Sequence, residues 1–248
     1  MRSLAVLPVL FLASFWSSSV VPPSVGAAPP LAEEDSSAWK YHEMKIEGWT
    51  VFVQDELYAK KELRTQVLDL MKIKLWEIAT RLPAASVARL QEVKLRMHLD
   101  HAANQGAAYH PNPVWLREHD MPEDWALGVE FGNAKNFLGW SQQQPAMVLH
   151  ELAHAWHHQV IGYGHKGVLE SFAAIKEAGT LNEVLYVNGG TQKAYALNNE
   201  MEFFAEMSEA WWITNDMYPF VRGELMDGLP NVAKQMDAWW QLPNPKSE

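Results

Sequence analysis

Hydrophobic positions change period part-way along the chain. In "MKIEGWTVFVQ", Val51 and Val53 alternate with Thr50, Phe52 and Gln54 beside Gly48, which predicts a strand pair or hairpin. From Asp55 to Leu82 the period lengthens: Leu57, Leu63, Val67, Leu70, Met71 and Ile78 recur among Lys, Arg and Glu, predicting an amphipathic helix ended by Pro83. A shorter helix through "AASVARL" leads to "EVKLRMHLD", where Val93, Leu95, Met97 and Leu99 alternate strictly and predict a strand. Residues 101–125 are rich in Gly, Pro, Asn and His and read as loop, with a short strand considered at "VWLREH". A further strand is expected at "WALGVEFG". Helical spacing resumes from Pro145 to Val160 and dominates after Val168, in "VLESFAAIKEAG", "NNEMEFFAEMSEAWWI" and "LPNVAKQMDAWW". Strands in the first half and helices in the second predict an α+β fold rather than alternating β/α units.

The first residues interrupt this picture. Arg2, an apolar run from Leu4 to Trp16, a serine patch at Ser17–Ser19 and small residues at Val25–Ala28 have the layout of a secretory signal peptide. A leader over residues 1–28, a Pro-rich acidic linker over 29–38 and one domain over 39–248 are therefore expected. No later run reaches the roughly 20 apolar residues that a bilayer requires. Loss of the leader removes one positive charge, Arg2, and takes the formal net charge from −10 to −11. The leader makes the expected location extracellular, or periplasmic in a Gram-negative bacterium, and an acidic exported chain is a poor partner for nucleic acid or an anionic membrane. The sequence contains no cysteine, which excludes disulfides, thiolate metal sites and a cysteine nucleophile. Its 12 tryptophans are expected to lie mostly in the core.

The densest chemistry lies in "VLHELAHAWHH". His150, Glu151 and His154 form H-E-x-x-H. On a helix, residues four apart sit one turn up and about 40° around, so both imidazoles can meet one ion while Glu151 takes a proton from a water. Val148, Leu152, Ala155, Trp156 and Val160 form the opposite, buried face. Zinc suits two neutral imidazoles and needs at least one further protein ligand. His157 and His158 follow too closely to complete the set and are read as solvated or supporting residues. His98, His101 and His110 could form a second metal patch, but read first as loop histidines.

The third ligand discriminates among zinc peptidases. The metzincin pattern would place glycine at 157 and histidine at 160, where this chain has His157 and Val160. In "GTLNEV", Asn182 stands where an aspartate ligand would be required. A glutamate remains, to be drawn from Glu170, Glu177, Glu183, Glu200, Glu202, Glu206 and Glu209. In "YALNNEMEFFAEMSEAWW", Asn198 or Asn199 can cap a helix on which Glu202 and Glu206 share a face. Tyr195 precedes Glu202 by two helical turns, within about 20° of the same direction if the helix reaches back that far. Alternatively, these glutamates form a solvated acidic face.

"HELAH" followed by "YALNNEMEFFAE", with "TND" further on, resembles the catalytic domain of the anthrax lethal factor-like zinc metallopeptidases, a gluzincin group. The resemblance is carried by residues 146–157 and 195–216, about an eighth of the chain. It implies a zincin-like α+β fold, with a small mixed sheet in the N-terminal half, a mostly helical C-terminal half and the active site between them. It further implies Zn2+ on His150, His154 and Glu202, a water activated by Glu151, and Tyr195 donating a hydrogen bond to the developing oxyanion. Glu206 would orient a ligand imidazole. The expected function is secreted metalloendopeptidase action on a peptide or protein substrate, with "WALGVEFG" as a sheet edge for an extended peptide. A secreted non-catalytic metal- or polymer-binding module on the same fold is the alternative. Oligomeric state is not encoded in any of these motifs.

Overall fold

The computed structural model describes residues 39–242, so the expected leader and linker lie outside the described residues. The expected hairpin is present as β1 (Tyr41–Ile46) and β2 (Trp49–Gln54). Its two-residue turn places Glu47 and Gly48 at φ 48° and 92°, the positive values that match the twist of paired strands. Val51 and Val53 are fully buried, as their alternation requires.

The helix expected from Asp55 to Leu82 is interrupted. A single turn, α1 (Asp55–Tyr58), buries Leu57 beneath the end of β2, and α2 (Lys61–Arg81) begins after Lys60 leaves helical geometry at φ −90°, ψ 73°. Arg64 donates to the Tyr58 carbonyl that the break exposes. Within α2, Val67, Met71, Leu75 and Ile78 make the buried stripe. Leu82 is extended before Pro83, and α3 (Ala84–Leu90) follows.

Only the middle of the alternating segment 93–99 pairs as a strand, β3 (Leu95–Met97). The loop-like stretch after it holds a short strand, β4 (Ala107–Tyr109), and a helix, α4 (Pro113–Glu118), in place of the strand considered at "VWLREH". Asn112 caps that helix by accepting from Val114 N, and Pro113 occupies its first position, where no backbone N–H is needed. From "WALGVEFG" only β5 (Val129–Phe131) is strand; Trp125 closes a single 3-10 turn.

The five strands form one mixed sheet in the order β1-β2-β3-β5-β4, antiparallel at both flanks and parallel at β2–β3 and β3–β5. This overturns one expectation: β5 is internal, and the free edge next to the site is β4. The sheet has two unlike faces. Val51, Leu95 and Val129 lie in register toward the main core, while Phe52, Arg96, Glu130 and Ala108 lie in register on the opposite face. A small aromatic layer built on Leu116, Met121 and Trp125, with Trp39, Tyr41 and Trp115 against it, covers that second face.

The second half is helical apart from a short pair, β6 (Val184–Leu185) and β7 (Thr191–Gln192). After α5 (Ala134–Trp140) come α6 (Met147–Trp156), α7 (Lys166–Ala178), α8 (Glu200–Trp212), α9 (Arg222–Gly228) and α10 (Pro230–Trp239). Helix α6 continues as a π-helical turn over His157–Ile161, ended by Gly162 at φ 79°. Trp49, Trp125, Trp156 and Trp240 are among the most buried side chains, in keeping with a largely interior role for tryptophan. Among the described residues, no helix is long and apolar enough to cross a membrane.

Candidate metal centre

Helices α6 and α8 pack against each other and carry the chemistry between them. Nine of the ten α6 residues are buried, His150 and Glu151 included, because the helix runs between the sheet and α8. Asn199 starts α8 by accepting from Met201 N and Glu202 N. That cap sets the phase that turns Glu202, Glu206 and Glu209 toward α6 at i, i+4 and i+7. Glu206 and Glu209 are each 4% exposed, so this face is not a solvated one.

His150, His154 and Glu202 each direct one donor atom to a common point. Nε2 of His150 lies 3.0 Å from Glu202 Oε2 and 3.1 Å from His154 Nε2, and His154 Nε2 lies 3.3 Å from the same carboxylate oxygen. A tetrahedral ion with bonds of 2.0–2.1 Å holds its ligands about 3.3 Å apart, so the three donors fit such an ion with small adjustments. Two imidazole nitrogens that face each other at 3.1 Å beside a carboxylate favour a positive charge among them. A proton or a metal ion can provide it.

The other side of His150 differs from expectation. Nδ1 lies 2.5 Å from Glu209 Oε1 but 4.0 Å from Glu206 Oε1, so Glu209, rather than Glu206, orients this imidazole. Glu206 is turned instead to Asn215, whose Nδ2 donates to its Oε2 at 3.0 Å. One turn of α8 separates the two carboxylates. The rotation of the helix against α6 decides which of them reaches the ring.

Charge follows burial here. Desolvation alone would lower the His150 pKa, but hydrogen bonds to Glu202 and Glu209 carry it well above the ordinary imidazole value. Burial would raise Glu202, yet the charges and hydrogen bonds of His154 and His150 hold it well below the usual carboxylate range. Glu206 is pushed well above that range, first by burial and then by Glu209 and Asp216. Asp216 is raised to about 7, chiefly by burial and next by Glu209. The pocket behind His150 is thus rich in carboxyl groups and suited to a cation in front of it.

Glu151 and Tyr195 flank the donors. Glu151, 3% exposed, accepts from the backbone N–H of Tyr109 on the edge strand at 2.8 Å, which fixes one carboxylate oxygen and leaves the other for a water. Tyr195 does not extend α8 backwards: it opens a separate 3-10 turn, Tyr195–Leu197, and Asn199 stands between the two. Its ring nevertheless lies 6.4 Å from that of His150, and its hydroxyl is under the influence of Glu202 and Glu151. Burial and the surrounding carboxylates raise its pKa, so the hydroxyl keeps its proton and can donate it in a hydrogen bond.

No protein-family model, curated protein or solved structure matches this chain. The placement of its own side chains is what speaks for the site.

His157 and His158 stand apart from the donors and differ from each other. His157 is fully buried between Tyr163 and Phe204, which removes the solvated one of its two expected roles, solvated or supporting. Among the described residues neither ring nitrogen has a hydrogen-bond partner, and desolvation lowers its pKa to about 3. The Tyr109 hydroxyl lies 2.9 Å from His158 Nδ1 and accepts from Gln159 at 3.0 Å, so His158 helps to hold the edge strand. The sequence offered a signal for Glu209, seven residues after Glu202, but none for Tyr109, whose role rests on a backbone amide.

Proposed function

We propose that this chain is an exported zinc-dependent endopeptidase with a zincin-like fold. The observation that carries the reading is the convergence of His150, His154 and Glu202 beside a tethered Glu151. The resemblance of "HELAH" and "YALNNEMEFFAE" to the lethal factor-like metallopeptidases adds to it. An ion held by His150, His154 and Glu202 would supply Lewis acidity, polarising the scissile carbonyl and making an attacking water more acidic.

The chain's own residues do the rest. Glu151 takes the proton of the attacking water on the oxygen that Tyr109 N–H leaves available, then gives it to the departing amine. Tyr195, kept protonated by burial, donates a hydrogen bond to the oxygen on which negative charge develops. Glu209 fixes the rotation of His150 about the helix and keeps Nε2 as its metal-facing nitrogen. A peptide substrate would lie extended along the free edge of β4.

The test is a peptide-library digestion with wild type and Glu151→Ala side by side, each assayed for zinc. Wild type is expected to hold zinc and cut, and Glu151→Ala to hold zinc and not cut. Equal cleavage by both proteins would remove the mechanism.

A further inference from the structure

On the far face of the sheet, a second group of histidines surrounds a carboxylate that the proposed reaction does not use. Glu130, fully buried on the internal strand β5, contacts three imidazoles. His98 Nδ1 lies 2.8 Å from its Oε1, His101 Nδ1 also contacts Oε1, and His110 Nε2 lies 2.9 Å from Oε2. Asn104 Nδ2 donates to Oε2 at 3.1 Å. These histidines are therefore not loop residues in solvent: His98 is 0% exposed, His101 9% and His110 5%.

Three features single this group out as a binding site. One ligand atom from each of His98, His101 and Glu130 lies within 4.8 Å of the other two. Among the described residues, buried His98 Nδ1 makes no well-formed hydrogen bond, although it lies 2.8 Å from Oε1. Its opposite nitrogen, Nε2, is engaged by the Tyr41 hydroxyl at 2.7 Å. In the tautomer whose Nε2–H donates to Tyr41, Nδ1 presents a lone pair to a carboxylate oxygen, and a cation between them relieves the repulsion. Arg96, opposite Glu130 in the strand register, does not serve as that cation: its guanidinium turns to Asp124, donating to the Asp124 carbonyl at 3.0 Å and lying 3.7 Å from the carboxylate.

We propose that His98 Nδ1, His101 Nδ1 and Glu130 Oε1 form a second site for a divalent transition-metal cation, with His110 and Asn104 holding the other carboxylate oxygen. Two imidazoles and a carboxylate suit zinc, cobalt or nickel better than calcium or magnesium. The backbone brings the ligands together from separate elements. His98 N–H donates to Phe131 O, His101 N–H to Gly132 O, and His110 N–H to Gly128 O, so each ligand-bearing segment is pinned to β5 or its ends. Gly132 permits the approach: a Cβ there would meet the Asn104 carbonyl oxygen at 1.8 Å. Trp39 stacks on His98 at 5.2 Å and, with Trp125, closes the site from solvent. The ion would be structural. It would lock the 98–104 loop and, through His110, the end of the edge strand whose Tyr109 amide holds Glu151.

Metal-stripped full-length protein tests this. A His154→Ala/Glu202→Gln double variant, in which the α6–α8 site is disabled, is expected to bind one equivalent of Co2+ or Zn2+, and adding His101→Gln should reduce this to under a tenth of an equivalent. Failure of the double variant to bind either ion overturns the proposal, as does an equivalent that survives His101→Gln. If wild type loads one ion and the double variant none, the second site fails and the α6–α8 site stands. If both load one, the α6–α8 site fails instead. Should the triple variant not fold, X-ray absorption of the cobalt-loaded double variant decides the matter. Two imidazoles in the first shell support the site, and an all-oxygen shell overturns it.

Discussion

Replacing Glu209 tests whether the carboxylate behind His150 or its neighbour one turn away sets the affinity of the proposed metal centre. Glu209 Oε1 and His150 Nδ1 are 2.5 Å apart, with both side chains under a tenth exposed. Water therefore cannot readily replace the lost partner. Loss of such an outer carboxylate weakens metal binding about 10–100-fold, or about 1.4–2.7 kcal/mol. Glu209→Ala should approach the upper figure, because it removes both the carboxyl group and the acceptor 2.5 Å from Nδ1. Glu209→Gln keeps an acceptor but loses the charge, and should fall nearer the lower one. Glu206→Gln is the control. Its oxygen is 4.0 Å from Nδ1, beyond hydrogen-bond reach, so less than about a threefold change is expected. Affinity would be read by zinc competition against a chromophoric chelator, with circular dichroism confirming the fold. A loss of tenfold or more in Glu206→Gln, with Glu209→Gln unchanged, would refute the assignment.

Other expectations follow from the same geometry. Tyr195→Phe should lower kcat by about 10–1000-fold with little change in zinc content, since it removes one hydrogen bond to the developing oxyanion; unchanged kcat would exclude that role. Glu202→Ala should strip zinc, whereas Glu183→Ala should not, because Glu183 is on the surface, accepting from Thr191 at 2.8 Å. For His157, the unfolded ring takes up a proton near about pH 6.5, but the folded one only near about 3. Stability is therefore lost as pH falls between those values, at up to about 1.4 kcal/mol per pH unit. In His157→Phe the gap in Tm between neutral and mildly acidic buffer should narrow, and an unchanged gap would show that the buried ring is not responsible. Chelation of the folded protein should lower Tm. For a site held at 100 times its Kd, the loss corresponds to about 2.7 kcal/mol.

Where periodicity spanned several turns, the sequence was readable. Val67, Met71 and Ile78 on α2, the alternation around Val51, and the cap at Asn199 all act over a few residues, and each lies where the pattern puts it. Three-residue strands carry too few positions to alternate, so β4 was hidden among glycines and histidines, and its position at the sheet edge follows only from pairing with β5. The same limit governed the site. Spacing on one helix brings His150 and His154 together, but the choice between Glu206 and Glu209 depends on how α8 rotates against α6. The burial of His98, His101 and His110 around Glu130 arises from contacts 20 to 32 residues apart along the chain, beyond any local pattern.

The free edge of β4 would constrain the substrates of the proposed reaction. His110 turns both its N–H and its C=O inward to β5, so by the alternation of an antiparallel ladder Ala107 and Tyr109 turn theirs outward. Tyr109 has already given its outward N–H to Glu151. For the proposed reaction, a docking peptide would find its first unclaimed amide at Ala107, roughly 7 Å farther along the edge. The base and the substrate would then be measured from a single short strand, like marks on one ruler. Selection would act first on the peptide's backbone, rejecting a proline at the position that must donate to this edge, and only afterwards on its side chains.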